Sequence, residues 1–448
     1  MRAETDRPVV AHVNYSFFHS TQSFIFFYLS HLRRIQPICL TRTPESPAIS
    51  RDIGGLAPNF YTFGSRRGGA AARLVWNTGV AMRRRLTRLP PALSQPLLRA
   101  VNGGVVPHVR RDADPARLLD WAQRILEQRG ARAIHAYFGA VGWRMLALRK
   151  RLGIPLLVTL LGDDVAPALG SWWWWWIDSG APGPPDWPAR LGELLRESDA
   201  VLVEGPHMQQ RVLALGCPRD KLHIQRIAIP LDAIRFRERR RAPGAPVTIL
   251  FAGRFCEQKG VLYALEAFQQ LRASRRDVEL RLVGDDTMTD GTYAARVFDY
   301  VRRHGLGDCV RLLGFLNHID YLSELDAADI FLHPSTVTDD GLSEGGAPTT
   351  ILEAQAAGMP VVATQHCDIP NVTVPGRSAI LVPERDVAAL TRALLQLIDA
   401  PETWKQFGRA GREHIERYHN IDKEVPALEE RYFALIDRAR ARGNAQGD

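Results

Sequence analysis

From Thr248 to Leu397 the chain alternates short apolar stretches with longer amphipathic ones, and this alternation constrains its fold more than any other feature. Strand patterns at Thr248–Ala252, Glu279–Val283, Val310–Leu312, Ile330–His333, Pro360–Thr364 and Ala379–Val382 stand among helical patterns at Val261–Ala273, Tyr293–His304, Tyr321–Ala327, Thr350–Ala357 and Val387–Leu397. A helix between two strands carries the chain back to the end of the sheet from which it left, so the strands run parallel and the crossovers are right-handed. The pattern predicts an α/β fold with a doubly wound parallel sheet.

The first half repeats the alternation less cleanly. A strand at Val9–Asn14 leads through the polar loop His19–Ser23 into an amphipathic run, Phe24–Leu32. Asp114-Pro115 reads as a helix start, an N-cap followed by proline, opening Ala116–Arg129. Strands at Ala133–Tyr137 and Pro155–Leu161 flank a helix at Val141–Leu152, and helix Ala189–Arg196, strand Ala200–Val203, helix Met208–Leu215 and strand Leu222–Ile227 follow. Arg33–Arg67 reads as turn-rich, Leu74–Leu98 as a basic helical region, and Arg237–Pro246 as a linker. A final helix spans Ile421–Ala441.

A chain of 448 residues exceeds one ordinary core. The expected division is a Rossmann-like domain over residues 1–236, a second over 246–420, and a tail over 421–448 whose helix packs back toward the first domain. No apolar stretch approaches the ~20 residues of a bilayer span. Residues 1–15 lack the order of a signal peptide, so a cytoplasmic protein is expected. Five cysteines, odd in number and without a CxxC pair, point to reduced thiols rather than to disulfides or a zinc site.

The net charge of +8 is unevenly spread: Met1–Pro230 holds 30 Lys/Arg against 17 Asp/Glu, and Leu231–Asp448 holds 27 against 32. A basic first half suits an anionic partner such as lipid headgroups or a phosphorylated acceptor, or is simply a solvated surface. The Arg clusters contain no nucleic-acid reading module, so no nucleic-acid partner is expected. The sequence has no P-loop, no dinucleotide GxGxxG and no Asp-x-Asp placed after a strand, which predicts neither ATP or NAD binding nor a metal cofactor.

The segment Ile249-Leu250-Phe251-Ala252-Gly253-Arg254-Phe255-Cys256-Glu257-Gln258-Lys259-Gly260 resembles the strand, Gly-Arg, four residues, Lys-Gly, helix signature of family 4 glycosyltransferases. The run from Ser343 to Thr364 resembles that family's two-glutamate motif. Ile134–Gly139 and Arg151–Val165 are similar to the acceptor domain of its subgroup that builds exopolysaccharides of the colanic acid type. The resemblance implies a GT-B fold, two Rossmann-like doubly wound domains facing each other across a cleft. It implies a retaining, metal-independent hexosyltransferase that uses a nucleotide-sugar donor and a saccharide or lipid-linked acceptor.

Transfer from a nucleoside diphosphate builds negative charge on the departing diphosphate, and fixed positive potential there lowers the barrier. Arg254 and Lys259 are the cations expected at the diphosphate, with Gly253 beside them. Gly345 and Gly346 let the backbone come close to the sugar, and the amides of Thr349 and Thr350 open a helix toward an anion. On the resemblance, Glu344 takes the sugar hydroxyls and Glu353 the ribose hydroxyls. Two departures stand out: eight residues separate Glu344 from Glu353 where the family has seven, and Leu161 stands where the family places a histidine. Asp164 keeps the acidic position of that run. His135 and His19 are candidate substitutes for the histidine, and Ser20 and Thr21 candidate contacts to acceptor or phosphate.

Five consecutive tryptophans, Trp172–Trp176, cannot all face one core. With the Arg83–Arg88 cluster they predict docking at an anionic membrane surface, on the inner face of the membrane. Stacking on a sugar, or packing against the Pro-rich turn that follows, are the alternatives. The rival readings of the whole chain are a non-catalytic GT-B nucleotide-sugar-binding protein and a nucleotide-sugar epimerase.

Overall fold

The computed structural model describes residues 7–14, 17, 23–41, 59–62, 115–165, 186–286, 291–339 and 341–445. The first sheet contains β1 (Val9–Val13), β2 (Gln36–Thr41), β3 (Phe60–Thr62), β4 (Ala131–Tyr137), β5 (Leu156–Thr159), β6 (Ala200–Val203) and β7 (Leu222–Ile224). Its seven strands are parallel, in the order β3-β2-β1-β4-β5-β6-β7. The helices of this lobe are α1 (Ser23–His31), α2 (Pro115–Gln128), α3 (Gly139–Leu152), α4 (Trp187–Glu197) and α5 (Pro206–Ala214).

The second sheet contains β8 (Val247–Ala252), β9 (Val278–Val283), β10 (Val310–Gly314), β11 (Ile330–His333), β12 (Val361–Thr364) and β13 (Ala379–Val382). They too are parallel, in the order β10-β9-β8-β11-β12-β13. Its helices are α6 (Val261–Ser274), α7 (Thr292–Arg303), α8 (His318–Ala327), α9 (Thr349–Ala356), the short α10 (Ile369–Val372), α11 (Val387–Asp399) and α12 (Trp404–Tyr418), and α13 (Ile421–Ala445) is the last described element. Each sheet reverses its strand order once, between β1 and β4 and between β8 and β11. Among the described residues no helix is long and apolar enough to cross a membrane.

Two stretches depart from the sequence expectation. The turn-rich stretch Arg33–Arg67 contains β2 and β3. Only five of the six residues of β2 are buried, and Pro37 near its start removes one ladder donor, so the run looks like punctuation until its neighbours cover it. Helix α12 carries Gly408 and Gly411, which read locally as breakers. Tertiary packing explains both: a Cβ at Gly408 would overlap the Gly358 carbonyl, and one at Gly411 would lie 3.1 Å from Gln355 Cβ. The backbone of α12 thereby comes close to α9.

The stretch expected as a linker is anchored at its start, while residues 242–246 are exposed. Arg239 is wholly buried and donates to the carbonyls of Asp326 (2.6 Å), Ala328 (2.5 Å), Leu325 (2.9 Å) and Ala357 (3.0 Å). These are orphan carbonyls at the C-terminal ends of α8 and α9, so one guanidinium satisfies both helix ends. Burial lowers its pKa to about 10, which leaves it charged at neutral pH.

Helix α13 packs on the first lobe, against α1 and β4. Tyr432 bonds His135 through its hydroxyl at 2.6 Å, and Glu429 Oε1 accepts the amides of Arg33 (2.7 Å) and Arg34 (2.6 Å).

Candidate functional site

Ligands of open parallel sheets bind outside the carboxyl ends of the strands, where the strand order reverses. In the second lobe that crevice lies between β8 and β11. The segment leaving β8 carries Gly253, Arg254 and Lys259, and the segment leaving β11 carries Ser335 and then Glu344 before α9 begins.

Lys259 Nζ lies 2.5 Å from Glu344 Oε2, and Ser335 Oγ donates to Glu344 Oε1 at 3.1 Å. Burial works against charge on Glu344, but the Lys259 ammonium outweighs it and holds the carboxyl at about 2. His333, at the end of β11, is fully buried between the rings of Phe251 and Phe331. Burial pushes its pKa down to about 3, so it is neutral at pH 7, and the positive potential at Glu344 comes mainly from Lys259. The stem of Lys259 runs over Gly253, where a Cβ would touch it at 3.5 Å. Arg254 is half-buried, and its guanidinium makes no hydrogen bond or ion pair among the described residues.

The Pro348 carbonyl takes the amides of Ile351 (3.0 Å) and Leu352 (3.4 Å). Thr349 and Thr350 supply the first amides of α9, which has no side-chain cap. Fixed backbone donors and the helix dipole thus meet the two cations at one end of the sheet. One turn further, Glu353 is buried and its Oε1 lies 3.0 Å from His318 Nε2 at the start of α8. The Glu353 carboxylate raises the pKa of His318, against the opposing cost of burial.

The structure thus brings Gly253, Arg254, Lys259, Glu344, Gly345, Gly346, Thr349, Thr350 and Glu353 to one crevice edge. It treats the acceptor-side candidates differently. Asp164 accepts the amides of Gly139 and Leu161, each at 2.8 Å, and so ties the start of α3 to the loop after β5. His135 is buried, with Nδ1 on Tyr432 and Nε2 on Thr159 Oγ1 at 2.7 Å, and burial holds its pKa well below the usual value. Both residues therefore brace the first lobe, and His135 does not reach the cleft. His19, Ser20, Thr21, Trp172–Trp176, Arg83–Arg88 and the Asp114 cap lie outside the described residues.

Sequence reasoning missed several groups. His366, just beyond β12, accepts the Glu344 amide on Nε2 at 3.1 Å and bonds Glu384 through Nδ1 at 2.7 Å, which fixes the backbone under Glu344. Ser335, His318 and Glu204 were also missed. Ser335, His366 and Glu204 follow the last residue of a strand or lie within two residues of it, and that position at a carboxyl end was the available signal.

Residues 232–414 match the family described as glycosyl transferases group 1. The chain is 34% identical over 242 residues to the putative colanic acid biosynthesis glycosyltransferase WcaL of Escherichia coli, covering 53% of this chain and 57% of that protein. It is 33% identical over 204 residues to the amylovoran biosynthesis glycosyltransferase AmsK of Erwinia amylovora, covering 46% and 48%. The chain thus spans about half the length of these relatives. Among solved structures, sucrose-phosphate synthase from Thermosynechococcus elongatus superposes with a TM-score of 0.69 at 18% identity, over 96% of this chain and all of that one. Anabaena Alr3699/HepE in complex with UDP superposes with a TM-score of 0.69 at 14% identity, again over 96% of this chain and 100% of that one. These likenesses show the fold, which is GT-B.

Proposed function

We propose, on the premise that residues 232–414 form a glycosyltransferase group 1 domain, that this chain transfers a hexosyl group from a nucleoside-diphosphate sugar to a saccharide or lipid-linked acceptor in exopolysaccharide assembly. The observation that carries this reading is the convergence of Arg254, Lys259 and the first amides of α9 at the strand-order reversal. Glu344 pairs with Lys259, and Glu353 lies one turn inside α9. The cations and amides would stabilise a departing diphosphate without a metal, Glu353 would hold the ribose, and Glu344 the sugar. The first relatives carry names from colanic acid and amylovoran biosynthesis, which supports an exopolysaccharide acceptor. HepE was crystallised with UDP-glucose, which supports a nucleotide-sugar donor. Transfer would proceed with retention of configuration, the donor phosphate taking the acceptor proton, as the family resemblance implies.

A thermal-shift screen of UDP, GDP and ADP tests the reading. One of them should stabilise the protein by mass action, and replacing Lys259 or Glu353 should remove that shift. A shift that survives in both variants excludes this site.

A non-catalytic binding protein is the second reading, motivated by Leu161 and the longer glutamate spacing. The spacing argument weakens in the structure, because Glu344 still reaches Lys259 and Ser335. Release of sugar from the donor that matches the stabilising nucleotide separates the two. The membrane-docking role of Trp172–Trp176 and Arg83–Arg88 belongs to the same proposal. Equal vesicle recovery of the wild type and a variant with serine at positions 172–176 would exclude it.

A further inference from the structure

Where the first lobe seats on the second, the segment after β12 carries a thiol among imidazoles. Glu204 follows β6 and packs on Gly346, where a Cβ would overlap its Oε2, and Gly205 is pressed in the same way against the carboxylate of Asp368. The amides of His207 (2.9 Å) and Met208 (3.4 Å) donate to Asp368, so the start of α5, which has no side-chain cap of its own, is capped from the other lobe. The same seating brings the His207 ring to the sulfur of Cys367, the residue before Asp368, with which it bonds.

Cys367 Sγ lies 3.2 Å from Nε2 of the neighbouring His366, and His366 Nδ1 bonds Glu384 Oε1 at 2.7 Å. Thiol, imidazole and carboxylate in this bonding order let the ring take the thiol proton while the carboxylate stabilises the imidazolium that forms. The thiolate left behind accepts from His207 and from the Gly345 amide. Burial works against the thiolate, but its bonds with His207 and His366 outweigh that cost and bring the thiol down to about 6. Cys367 also stands at φ 45°, a left-handed backbone that a side chain adopts only where its surroundings hold it. The other cysteines are differently placed. Cys39, Cys217 and Cys309 are buried, and Cys256, partly exposed as Cys367 is, has its pKa raised by burial. Oxidants select a partly exposed thiol that ionises easily, and here that is Cys367.

We propose that Cys367 is a modification site for hydroperoxides, made reactive by His366 with Glu384 and by His207 of the opposite lobe. The thiolate attacks one peroxide oxygen, the O–O bond breaks, and His366 gives the proton it took to the departing hydroxide or alkoxide. The products are a sulfenic acid on Cys367 and water or an alcohol, the sulfur being oxidised by two electrons and the peroxide reduced by two. The added oxygen displaces the sulfur's bonds to His207 and Gly345, so oxidation loosens both the lobe contact and the Gly345–Gly346 turn. That the loosened turn weakens donor binding rests on the proposed function.

Treatment of the full chain at pH 7 with stoichiometric hydrogen peroxide and dimedone, with the adduct located by peptide mass spectrometry, tests the site without any donor. Cys367 should be labelled at least about tenfold faster than Cys256, and His207→Gln should slow that labelling about threefold or more. Equal labelling of the two cysteines, or an unchanged rate in His207→Gln, overturns the inference. Omitting dimedone, peroxide should shrink the thermal shift given by the stabilising nucleotide, dithiothreitol should restore it, and Cys367→Ser should give the same shift before and after peroxide. A wild type oxidised at Cys367 whose shift is unchanged overturns the link to the glycine turn. A reduced wild type that binds no nucleotide removes the proposed function instead, and the labelling result then decides the modification site by itself.

Discussion

Lys259 Nζ and Glu344 Oε2 stand 2.5 Å apart, with side chains only 15% and 11% exposed, so the cation and the carboxylate assigned to opposite ends of a donor form one buried ion pair. A pair of this kind is costly to break from one side and cheap to replace whole, because a lone buried charge has no compensation.

Lys259→Met alone should therefore destabilise the protein by ~3 kcal/mol. The double variant Lys259→Met/Glu344→Leu should recover most of that loss while remaining unable to bind a nucleoside diphosphate. Urea denaturation and calorimetric titration of both variants check this, and a double variant as unstable as the single one contradicts the ion-pair account.

On the proposed reading, Arg254 and the opening amides of α9 hold the phosphates of the donor. Arg254→Ala should weaken a nucleoside diphosphate about tenfold and the corresponding monophosphate much less, because one charge-assisted contact to the outer phosphate is removed. Equal weakening of both would place the guanidinium elsewhere.

Asp368 is fully buried and takes two amides of α5 from the opposite lobe. Asp368→Ala should cost about 1–2 kcal/mol, the usual value of an N-cap, and should let the lobes part. Small-angle scattering should then show a larger radius of gyration for Asp368→Ala, with Asp368→Asn close to wild type because asparagine also caps. Identical scattering curves for all three would show that the contact does not hold the lobes together.

His318 has a raised pKa because Glu353 stabilises its charged form. A raised value contributes stability that is fully present below the unfolded value of about 6.5 and is lost as pH rises through the folded pKa. Between about pH 6 and pH 9 the wild type should thus lose slightly more stability than His318→Gln. The 42% exposure of the side chain limits this to less than ~1 kcal/mol, because solvent screens the pair. Parallel pH profiles of melting temperature for the two proteins would refute the coupling.

Much of the second lobe was legible in the sequence because its signals are local. Strands Ile330–His333 and Ala379–Val382 needed only an apolar run between helical patterns, and the Gly-Arg and Lys-Gly pairs of the loop after β8 lie within eight residues of each other. Helix α12 was not legible, because Gly408 and Gly411 lower helix propensity locally and are justified only by the Gly358 carbonyl and the Gln355 side chain on which they rest. His135 shows the same limit at a candidate site: a histidine in the carboxyl-terminal half of a strand is a sound candidate until Tyr432, nearly three hundred residues later, closes over it.

The sequence alone determined the alternation of strand and helix, the parallel sheets this requires, and the cations and glycines of the loops proposed to bind phosphate, because periodicity and residue chemistry are properties of neighbours along the chain. Only the tertiary structure decided that Lys259 meets Glu344, that His318 meets Glu353, and that Glu204 and Asp368 join the lobes. Those contacts link residues 35 to 161 positions apart, and no local pattern specifies which distant groups a folded backbone brings within bonding distance.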